Sequence, residues 1–398
     1  MPEPTAPPRQ ETQRPHLAAV VEDRVLDVAG RTLRRWAGWL PRVEAYTGYG
    51  SPHRVRVLAR VLLSPHRRGG GPREPARRGF RSYLTVPAPG ERVVVTVGGT
   101  SVETVADRAG YVDVEVDLPD DAALPPGWQR AALRAVGPDD AARGELPRRG
   151  EAPAGAPGGV RDGVQAAGTQ TATVAGKDAS DATAPVLVVG DDVRLGVVSD
   201  IDDTAMITAV PRLLVAAWNT LVVPTATRRP VHGMPRLYRR LAEAHQDAPF
   251  VYLSSGAWNT ARTLRRFLAR HAFPPGPLLL TDFGPTKTGW FRSGPEHKTT
   301  SLARLMDTFP HVRWVLVGDD GQHDPEVYSA AVDERPGQVA AVAIRTLTPA
   351  ERVLSSGTAN PARRPDGGTV NGVPVVVGPD GDALAARLEG VPGLLGPG

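Results

Sequence analysis

The second part of the chain alternates between short apolar segments and amphipathic segments, and this alternation constrains the fold more than any other feature of the sequence. The apolar segments have the length of strands, and between them apolar residues recur at helical spacing. Strands that alternate with helices predict an α/β domain with a doubly wound parallel sheet and functional residues at the carboxyl ends of its strands. We place this domain at residues 186–347. Its candidate strands are 193–199, 250–253, 278–281, 314–317 and 339–344, and its candidate helices are 234–245, 259–271, 299–309 and 325–334.

The part of the chain before this domain has a different pattern. Apolar residues recur at helical spacing as far as Pro41, which predicts N-terminal helices within residues 16–50. Short alternating segments separated by Gly, Pro and Asp then predict a small β-rich domain over residues 51–136, an antiparallel sandwich or barrel. Its candidate strands are 55–63, 83–86, 92–97, 101–106, 111–116 and 129–136.

Glycine and proline are abundant, with 43 and 40 residues, and concentrate where no period is visible. Such segments favour linkers and tails over packed elements. We therefore predict a disordered tail at residues 1–15, a flexible linker at 137–185 and a Gly/Pro-rich tail at 348–398. Within the last of these, residues 373–377 are one small apolar strand candidate.

Composition narrows the possible classes of partner. The formal net charge is only +4, and no dense basic run interleaved with aromatic residues occurs, so we predict no nucleic-acid partner. The absence of cysteine excludes disulfides and thiolate chemistry. No signal-peptide-like stretch and no run of 18 apolar residues is present, which predicts a cytoplasmic protein without a transmembrane segment. Attachment to a membrane surface remains open.

The first candidate strand of the α/β domain runs into an acidic motif, Asp200-Ile201-Asp202-Asp203-Thr204. A carboxylate at the end of a buried strand can attack phosphorus, and an Asp two residues later can donate a proton to the leaving oxygen and then take one from water. Carboxylates this close repel unless a cation lies between them, and Mg²⁺ suits oxygen ligands. Taken alone, the motif is also compatible with an acidic surface turn.

Two further positions offer phosphate-binding groups. The candidate strand 250–253 is followed by Ser254, Ser255 and Gly256, where a hydroxyl and backbone N–H groups can cradle a phosphate, although such a sequence is also an ordinary turn. Lys298 directly precedes a candidate helix and is one of only three lysines among 47 basic residues. An ammonium group is a compact charge that can reach between a phosphate and a nucleophile. Lys287 is open to the same argument.

The candidate strand 314–317 ends in a second acidic group, with Asp319, Asp320 and Asp324. Together these carboxylates suit direct and water-mediated binding of Mg²⁺, although Asp324 is also a candidate helix N-cap. The four features occur in order at four strand ends or helix starts. Their combination predicts phosphoryl transfer.

The sequences of these motifs resemble those of the haloacid-dehalogenase superfamily. They read SDIDDT, YLSSGAWN, HKTTSL and GDDGQHDPEVY. Within it, residues 186–346 look like the catalytic domain of the actin-patch-associated phosphatidate phosphatases and their bacterial relatives. One departure is Gly256-Ala257, where many relatives have Ser-Pro.

The resemblance implies a Mg²⁺-dependent phosphatase with a DxDxT motif and an aspartyl-phosphate intermediate. Asp200 would be the nucleophile and Asp202 the general acid/base, while Lys298 would steady the phosphate and the nucleophile. Thr204 and Ser254 would bind the phosphate, with Ser255 as the alternative to Ser254. The ligands of Mg²⁺ would be Asp200, Asp202 through its backbone carbonyl, and Asp319, with support from Asp320 and Asp324.

Insert lengths bear on the size of the substrate. About thirty residues separate Thr204 from Met234, and about forty separate Gly256 from Lys298, which leaves no room for a large cap. The site should therefore be open, as a lipid head group or a phosphoprotein would require. The apolar segment 210–223, which contains Trp218, could pack on the sheet. Alternatively, it could insert into the lipid surface, where Arg212, Arg228 and Arg229 would attract anionic head groups.

The resemblance implies phosphatidate as the substrate. The partner would then be a phospholipid at a membrane surface, and the protein would act in lipid metabolism. Two alternatives remain. One is a phosphatase of a soluble phosphomonoester or phosphoprotein, and the other is a non-catalytic binding module. The intact set of Asp200, Asp202, Lys298 and Asp319 argues against the binding module, because a scaffold has no need of all four.

Overall fold

The computed structural model describes residues 39–65, 86–136, 181–207, 228–281, 294–356 and 367–396. Within them the chain forms two sheets, each with its own apolar core. No helix in this part of the chain is long and apolar enough to cross a bilayer.

The first sheet contains nine strands. They are β1 Trp39–Ala45, β2 Gly48–Gly50, β3 Arg54–Pro65, β4 Val86–Pro87, β5 Arg92–Val97, β6 Thr100–Val105, β7 Tyr111–Asp117, β8 Gly127–Val136 and β9 Asp181–Val188. The order is β1-β3-β2-β9-β8-β5-β6, with β4 and β7 also paired to β3. All pairs are antiparallel except β2 with β9. The strands expected between residues 55 and 136 are present; of the candidate 83–86 only Val86 lies in the described residues.

The expectation of helices over residues 16–50 is wrong for residues 39–50, which form β1 and β2. In β1 the residues that turn inward are Trp39, Pro41, Val43 and Ala45, every second position, whereas their neighbours are more exposed. A period of two suits a strand, and pairing with β3 satisfies its backbone groups. Residues 1–38, with the predicted tail and most of the predicted helices, lie outside the described residues.

The predicted linker at 137–185 extends too far. Residues 181–185 belong to β9, which pairs with β8, so the α/β domain also begins later than residue 186. The sequence of this strand lacks a clear apolar pattern, because its buried positions include the small residues Ala182 and Ala184 and its other positions include polar residues. Residues 137–180 are outside the described part of the chain.

The second sheet contains seven strands: β10 Leu195–Asp200, β11 Phe250–Ala257, β12 Leu278–Thr281, β13 Arg313–Asp319, β14 Val339–Arg345, β15 Gly368–Val370 and β16 Val373–Gly378. Its order is β12-β11-β10-β13-β14-β16-β15, and every pair is parallel except β15 with β16. The helices are α1 Met234–Ala244, α2 Ala261–Arg270, α3 Gly294–Thr308, α4 Asp324–Glu334, α5 Pro349–Ser356 and α6 Gly381–Leu388. The predicted mixed α/β architecture with a parallel sheet is confirmed.

The α/β domain does not end at residue 347, as expected from the Gly/Pro-rich sequence that follows. The strand candidate at 373–377 is present as β16, which extends the sheet beside β14. Helices α5 and α6 follow the predicted boundary as well, and Leu384 and Leu388 of α6 are buried in the core of the domain. Burial of these side chains explains why the sequence folds despite its glycines and prolines.

The first sheet packs directly on the α/β domain. Tyr46, which lies between β1 and β2, joins Tyr49 of β2 and Leu58 of β3 in the core of the second unit. Tyr46 stacks on Trp258 with ring centroids 4.3 Å apart. An ion pair of 3.4 Å also joins Arg304 of α3 to Asp113 of β7. The two units therefore share an apolar and charged interface.

Candidate active site

The chemically interesting side chains meet where the strand order of the parallel sheet reverses. In chain order β10 comes first, yet β11 and β12 lie on one side of it, and β13 and β14 lie on the other. Such a reversal opens a crevice at the carboxyl ends of the strands. Asp200 is the last residue of β10 and Asp319 is the last residue of β13. The strands therefore bring together acidic residues that are 119 positions apart in the sequence.

Lys298 lies at the centre of the site. Its Nζ donates to Asp200 Oδ1 at 2.6 Å and to Asp324 Oδ1 at 2.5 Å, and all three side chains are buried. Lys298 was expected just before a helix, but α3 begins at Gly294, so the lysine lies inside its first turns. Pro295 as the second residue explains the earlier start, since proline suits the first turn of a helix. Burial opposes protonation of Lys298, but the two carboxylates outweigh it and raise its pKa.

Three buried carboxylates could hold a metal ion. Each of Asp200, Asp319 and Asp324 offers an oxygen, and these oxygens all lie within 4.8 Å of one another. Burial raises the pKa of Asp200 well above its usual value, and Lys298 offsets only part of this effect. Burial also raises the pKa of Asp319, and the charge of Asp324 adds to it. Three carboxylates facing one ammonium group leave about two negative charges uncompensated when all are ionised.

One oxygen of this group has no partner in the part of the chain that the structure describes. There Asp200 Oδ2 is buried and accepts no hydrogen bond, although burying an unpaired carboxylate oxygen is unfavourable. A hard divalent cation with oxygen ligands would satisfy both the charge and the unpaired atom. The residues at the site therefore fit Mg²⁺.

The turn after β10 presents the other residues of the acidic motif. Asp203 has a left-handed backbone with φ of 59°, which is uncommon for a residue with a side chain. This turn directs Asp202, which is only partly buried, toward Ser254 of β11, whose Oγ donates to Asp202 Oδ2 at 2.9 Å. The Thr204 hydroxyl donates to Asp319 Oδ2 at 3.2 Å. Asp202 thus lies beside the acid cluster, in contact with the predicted phosphate loop.

The structure distinguishes the two serines that were candidates for phosphate binding. Ser254 is buried, and its Oγ accepts a hydrogen bond from the Gly256 N–H at 2.9 Å while donating to Asp202. Ser255 is exposed, and its side chain lies outside this set of contacts. The geometry therefore places Ser254, and not Ser255, beside the acidic motif.

Asp320 is not part of the metal-ligating group to which it was assigned. Its Oδ1 accepts the Leu347 N–H at 2.7 Å, and its Oδ2 pairs with Arg352 of α5. Both oxygens are therefore committed to structural contacts. The side chain of Asp202 is likewise outside the group of three carboxylates, so a role for this residue in metal binding would fall to its backbone carbonyl.

Several buried groups around the site were not predicted. Arg345 ends β14 and donates to the Asp203 carbonyl at 2.7 Å, and Ser199 shares a 2.5 Å hydrogen bond with Tyr238. Glu351 and Arg352 of α5 lie in the segment expected to be a tail. A polar residue at the end of a buried strand was a usable signal for Arg345. The other contacts join residues far apart in the sequence and have no local pattern.

Some predictions fall on residues outside the described part of the chain. These include Lys287 and the segment 210–223 with Trp218 and Arg212. A cap would be carried by residues 208–227 or 282–293, which are also outside it. The absence of a cap therefore stays a prediction.

Fold and site together define an α/β domain with a buried carboxylate, lysine and acid cluster at the carboxyl ends of parallel strands. Residues 195–346 match the family described as the catalytic domain of phosphatidate phosphatase APP1. The segment is thus similar to a catalytic domain of the phosphoric monoester hydrolases. Asp200, Asp202, Lys298 and Asp319 all lie within it.

Two curated yeast proteins are similar over the same part of the chain. Phosphatidate phosphatase APP1 of Saccharomyces cerevisiae is 30% identical over 152 residues, which is 38% of this chain and 26% of the relative. An uncharacterized protein of Schizosaccharomyces pombe is 25% identical over 157 residues, 38% of this chain and 25% of that protein. The chain thus spans about a quarter of the length of these relatives.

A solved structure also matches part of the chain. The HAD domain of effector protein Lem4 from Legionella pneumophila covers 39% of this chain and 87% of its own, with 14% sequence identity and a TM-score of 0.26.

Proposed function

We propose that the protein is a Mg²⁺-dependent phosphomonoester hydrolase of the haloacid-dehalogenase type, with a doubly wound, capless catalytic domain and phosphatidate as its substrate. The observation that carries the proposal is the environment of Asp200. This carboxylate is buried at the end of β10, one oxygen is held by Lys298 at 2.6 Å, and the other has no hydrogen-bond partner among the described residues. A carboxylate has two oxygens, so one can bind the cation while the other attacks phosphorus.

The arrangement supports a two-step reaction. In the first step Asp200 attacks phosphorus, the bond to the leaving alcohol breaks, and Asp202 donates a proton to the leaving oxygen. In the second step Asp202 takes a proton from a water molecule that attacks the aspartyl phosphate, which releases inorganic phosphate and restores Asp200. The partial exposure of Asp202 suits proton exchange with substrate and water.

The remaining residues would fix charges and positions. Mg²⁺, held by Asp200, Asp319 and Asp324, would supply positive charge against the phosphate. Lys298 would keep its proton and stabilise negative charge on the phosphate. Ser254 and its neighbouring backbone N–H groups would bind phosphate oxygens, and the Thr204 hydroxyl would hold Asp319 in place.

Similarity to phosphatidate phosphatase APP1 of S. cerevisiae supports phosphatidate, with diacylglycerol and phosphate as the products. We accordingly expect a cytoplasmic protein that meets its substrate at a membrane surface. Asp202 is partly exposed and Ser255 is exposed, which suits a substrate that approaches from outside the domain.

The test is phosphate release from phosphatidate in mixed micelles, with Mg²⁺ or with EDTA. The wild type is compared with Asp200→Asn and with Asp307→Asn, a control at an exposed acid of α3. We expect Mg²⁺-dependent release by the wild type and the control, and none by Asp200→Asn. Phosphate release only from a soluble phosphomonoester would support the mechanism and exclude phosphatidate as the substrate. Wild-type rates in Asp200→Asn would overturn the mechanism.

A further inference from the structure

Arg345 links three parts of the α/β domain through one buried guanidinium group. Nη1 donates to the Asp203 carbonyl at 2.7 Å, Nη2 donates to Glu351 Oε1 at 2.7 Å, and Nε donates to the Pro379 carbonyl at 3.2 Å. The side chain is only 6% exposed. A planar guanidinium can serve three acceptors in fixed directions, which a lysine ammonium cannot do in the same geometry.

The contact with Asp203 bears directly on the acidic motif. Asp203 lies between Asp202 and Thr204, and its left-handed backbone is unfavourable unless its surroundings hold it there. The Asp203 N–H donates to the Met206 carbonyl at 2.7 Å, and the Asp203 carbonyl accepts a hydrogen bond from Arg345. Arg345 therefore braces the backbone that directs Asp202 toward Ser254 and Thr204 toward Asp319.

A second arginine braces the other acidic segment. Arg352 pairs with Asp320 Oδ2, while the Leu347 N–H donates to Asp320 Oδ1 at 2.7 Å. The Asp320 N–H also donates to the Arg345 carbonyl at 3.0 Å. Asp320 directly follows Asp319, so its attachment to α5 fixes the end of β13, where Asp319 lies near Asp324, the partner of Lys298.

Glu351 joins Arg345 to α5, the helix that carries Arg352. It precedes Arg352 on α5, accepts from Arg345, and its second oxygen accepts the Thr348 N–H at 2.9 Å. This contact caps the start of α5. The two arginines and two carboxylates form two largely buried pairs that balance in charge, and α5 and the bond from the Asp320 N–H to the Arg345 carbonyl connect the pairs.

We propose that Arg345 and Arg352 are positioning residues, which hold the turn 200–204 and the acidic segment 318–324 in the geometry that catalysis needs. The proposal rests on the proposed function. It also assigns a role to α5, which lies beyond the residues that match the catalytic-domain family.

The test compares Arg345→Met and Arg352→Met with their lysine variants. Arg335→Met is the matched control, because Arg335 forms an ion pair with Asp307 at the surface, away from the acid cluster. We expect kcat to fall about 10- to 100-fold in both methionine variants with little change in KM, because misplaced groups slow the chemical step. The lysine variants should recover part of kcat, and the control should retain it.

Hydrogen exchange supplies a readout that does not depend on activity. Amides of residues 200–206 should exchange several-fold faster in Arg345→Met, and amides of 318–324 should do so in Arg352→Met, while α1 and α2 stay protected. Unchanged exchange in these segments, or a kcat that falls only as far as the folded fraction does, would overturn the proposal. If the wild type had no phosphatase activity but the variants showed these exchange changes, the proposed function would be wrong, and the two arginines would still stabilise these segments.

Discussion

Lys298 illustrates how one residue type can determine a site. It is held between Asp200 and Asp324 and is 3% exposed, so neither its charge nor its size is free to vary. In a chain that otherwise uses arginine almost everywhere, a lysine here fits a space where a planar guanidinium would contact the acids differently. Lys298 is thus distinguished both by the rarity of lysine in the sequence and by its position between two buried carboxylates.

Lys298→Met should impair both stability and turnover. It leaves the buried carboxylates of Asp200 and Asp324 without their cation, a change that typically destabilises a protein by about 3–5 kcal/mol. We expect a lower melting temperature in EDTA, part of which Mg²⁺ restores, and a kcat reduced by about 100-fold that Mg²⁺ does not restore. Thermal unfolding and phosphate release with and without Mg²⁺ measure the two effects.

Lys298→Arg separates the two contributions, because it keeps the charge and changes the shape. It should lie closer to the wild type in melting temperature than in kcat. A methionine variant that retained wild-type kcat would contradict the role given to the ammonium group.

At the scale of elements, the parallel sheet was predictable where apolar strands and amphipathic helices alternate. Strand β13 has six buried residues in succession, and such runs have a visible local pattern. Strand β9 and helix α5 were not predicted, because the buried positions of β9 include small alanines and α5 lies in a Gly- and Pro-rich context. Their placement depends on pairing with β8 and on the Arg345 network, which are long-range contacts.

The residues of the site divide in the same way. Asp200, Lys298 and Asp319 were identifiable because each lies at a strand end or helix start with a residue type that chemistry uses. The pairing of Asp320 with Arg352 could not be identified in this way, because nothing in the sequence indicates that Leu347 and Arg352 lie against the end of β13. A sequence locates the groups that can react, whereas tertiary contacts decide which of them face one another.

Gly318, the residue before Asp319 in β13, leads to a prediction about the element that carries the acid cluster. A Cβ at this position would lie 2.6 Å from Asp324 Oδ2 and 2.8 Å from a ring carbon of Tyr328. Gly318→Ala should therefore displace Asp324 from Lys298, lower kcat by at least about tenfold and lower the melting temperature. Gly337→Ala is the matched control, since a Cβ there meets no atom of the described residues within 4 Å. Equal kcat values in the two variants would contradict the expected displacement.

At the scale of the whole molecule, the β-rich unit contacts the segment that follows the predicted phosphate loop. Trp258 comes four residues after Ser254, and Tyr46 from the first sheet stacks on its ring. Tyr49 approaches Phe309 at the end of α3, the helix that carries Lys298, with ring centroids 6.1 Å apart. The first sheet thus packs against two of the elements that supply site residues, and its removal would expose apolar surface beside them.

The charged part of this interface should make stability depend on pH. Asp113 of β7 accepts from Arg56 Nε at 2.7 Å and from Arg56 Nη2 at 2.6 Å, and it also pairs with Arg304 of α3. Burial opposes ionisation of Asp113, but the hydrogen bonds and charge of Arg56 outweigh it and lower its pKa. A lowered pKa in the folded state means that this stabilisation is present above the pKa of the unfolded chain, about 3.9. It is lost as the pH falls through the folded value.

Asp113→Asn should therefore be less stable than the wild type at pH 7, and the difference in melting temperature should shrink as the pH falls below about 4 toward the lower folded pKa. Asp117→Asn is the control, because Asp117 pairs with Arg54 on the same strands but is 72% exposed, where an ion pair contributes little. Thermal unfolding of the three proteins between pH 3 and pH 8, a range set by these carboxyl groups, measures the effect. A difference between Asp113→Asn and the wild type that persisted unchanged at the acidic end would mean that shape, and not charge, makes Asp113 important at the interface.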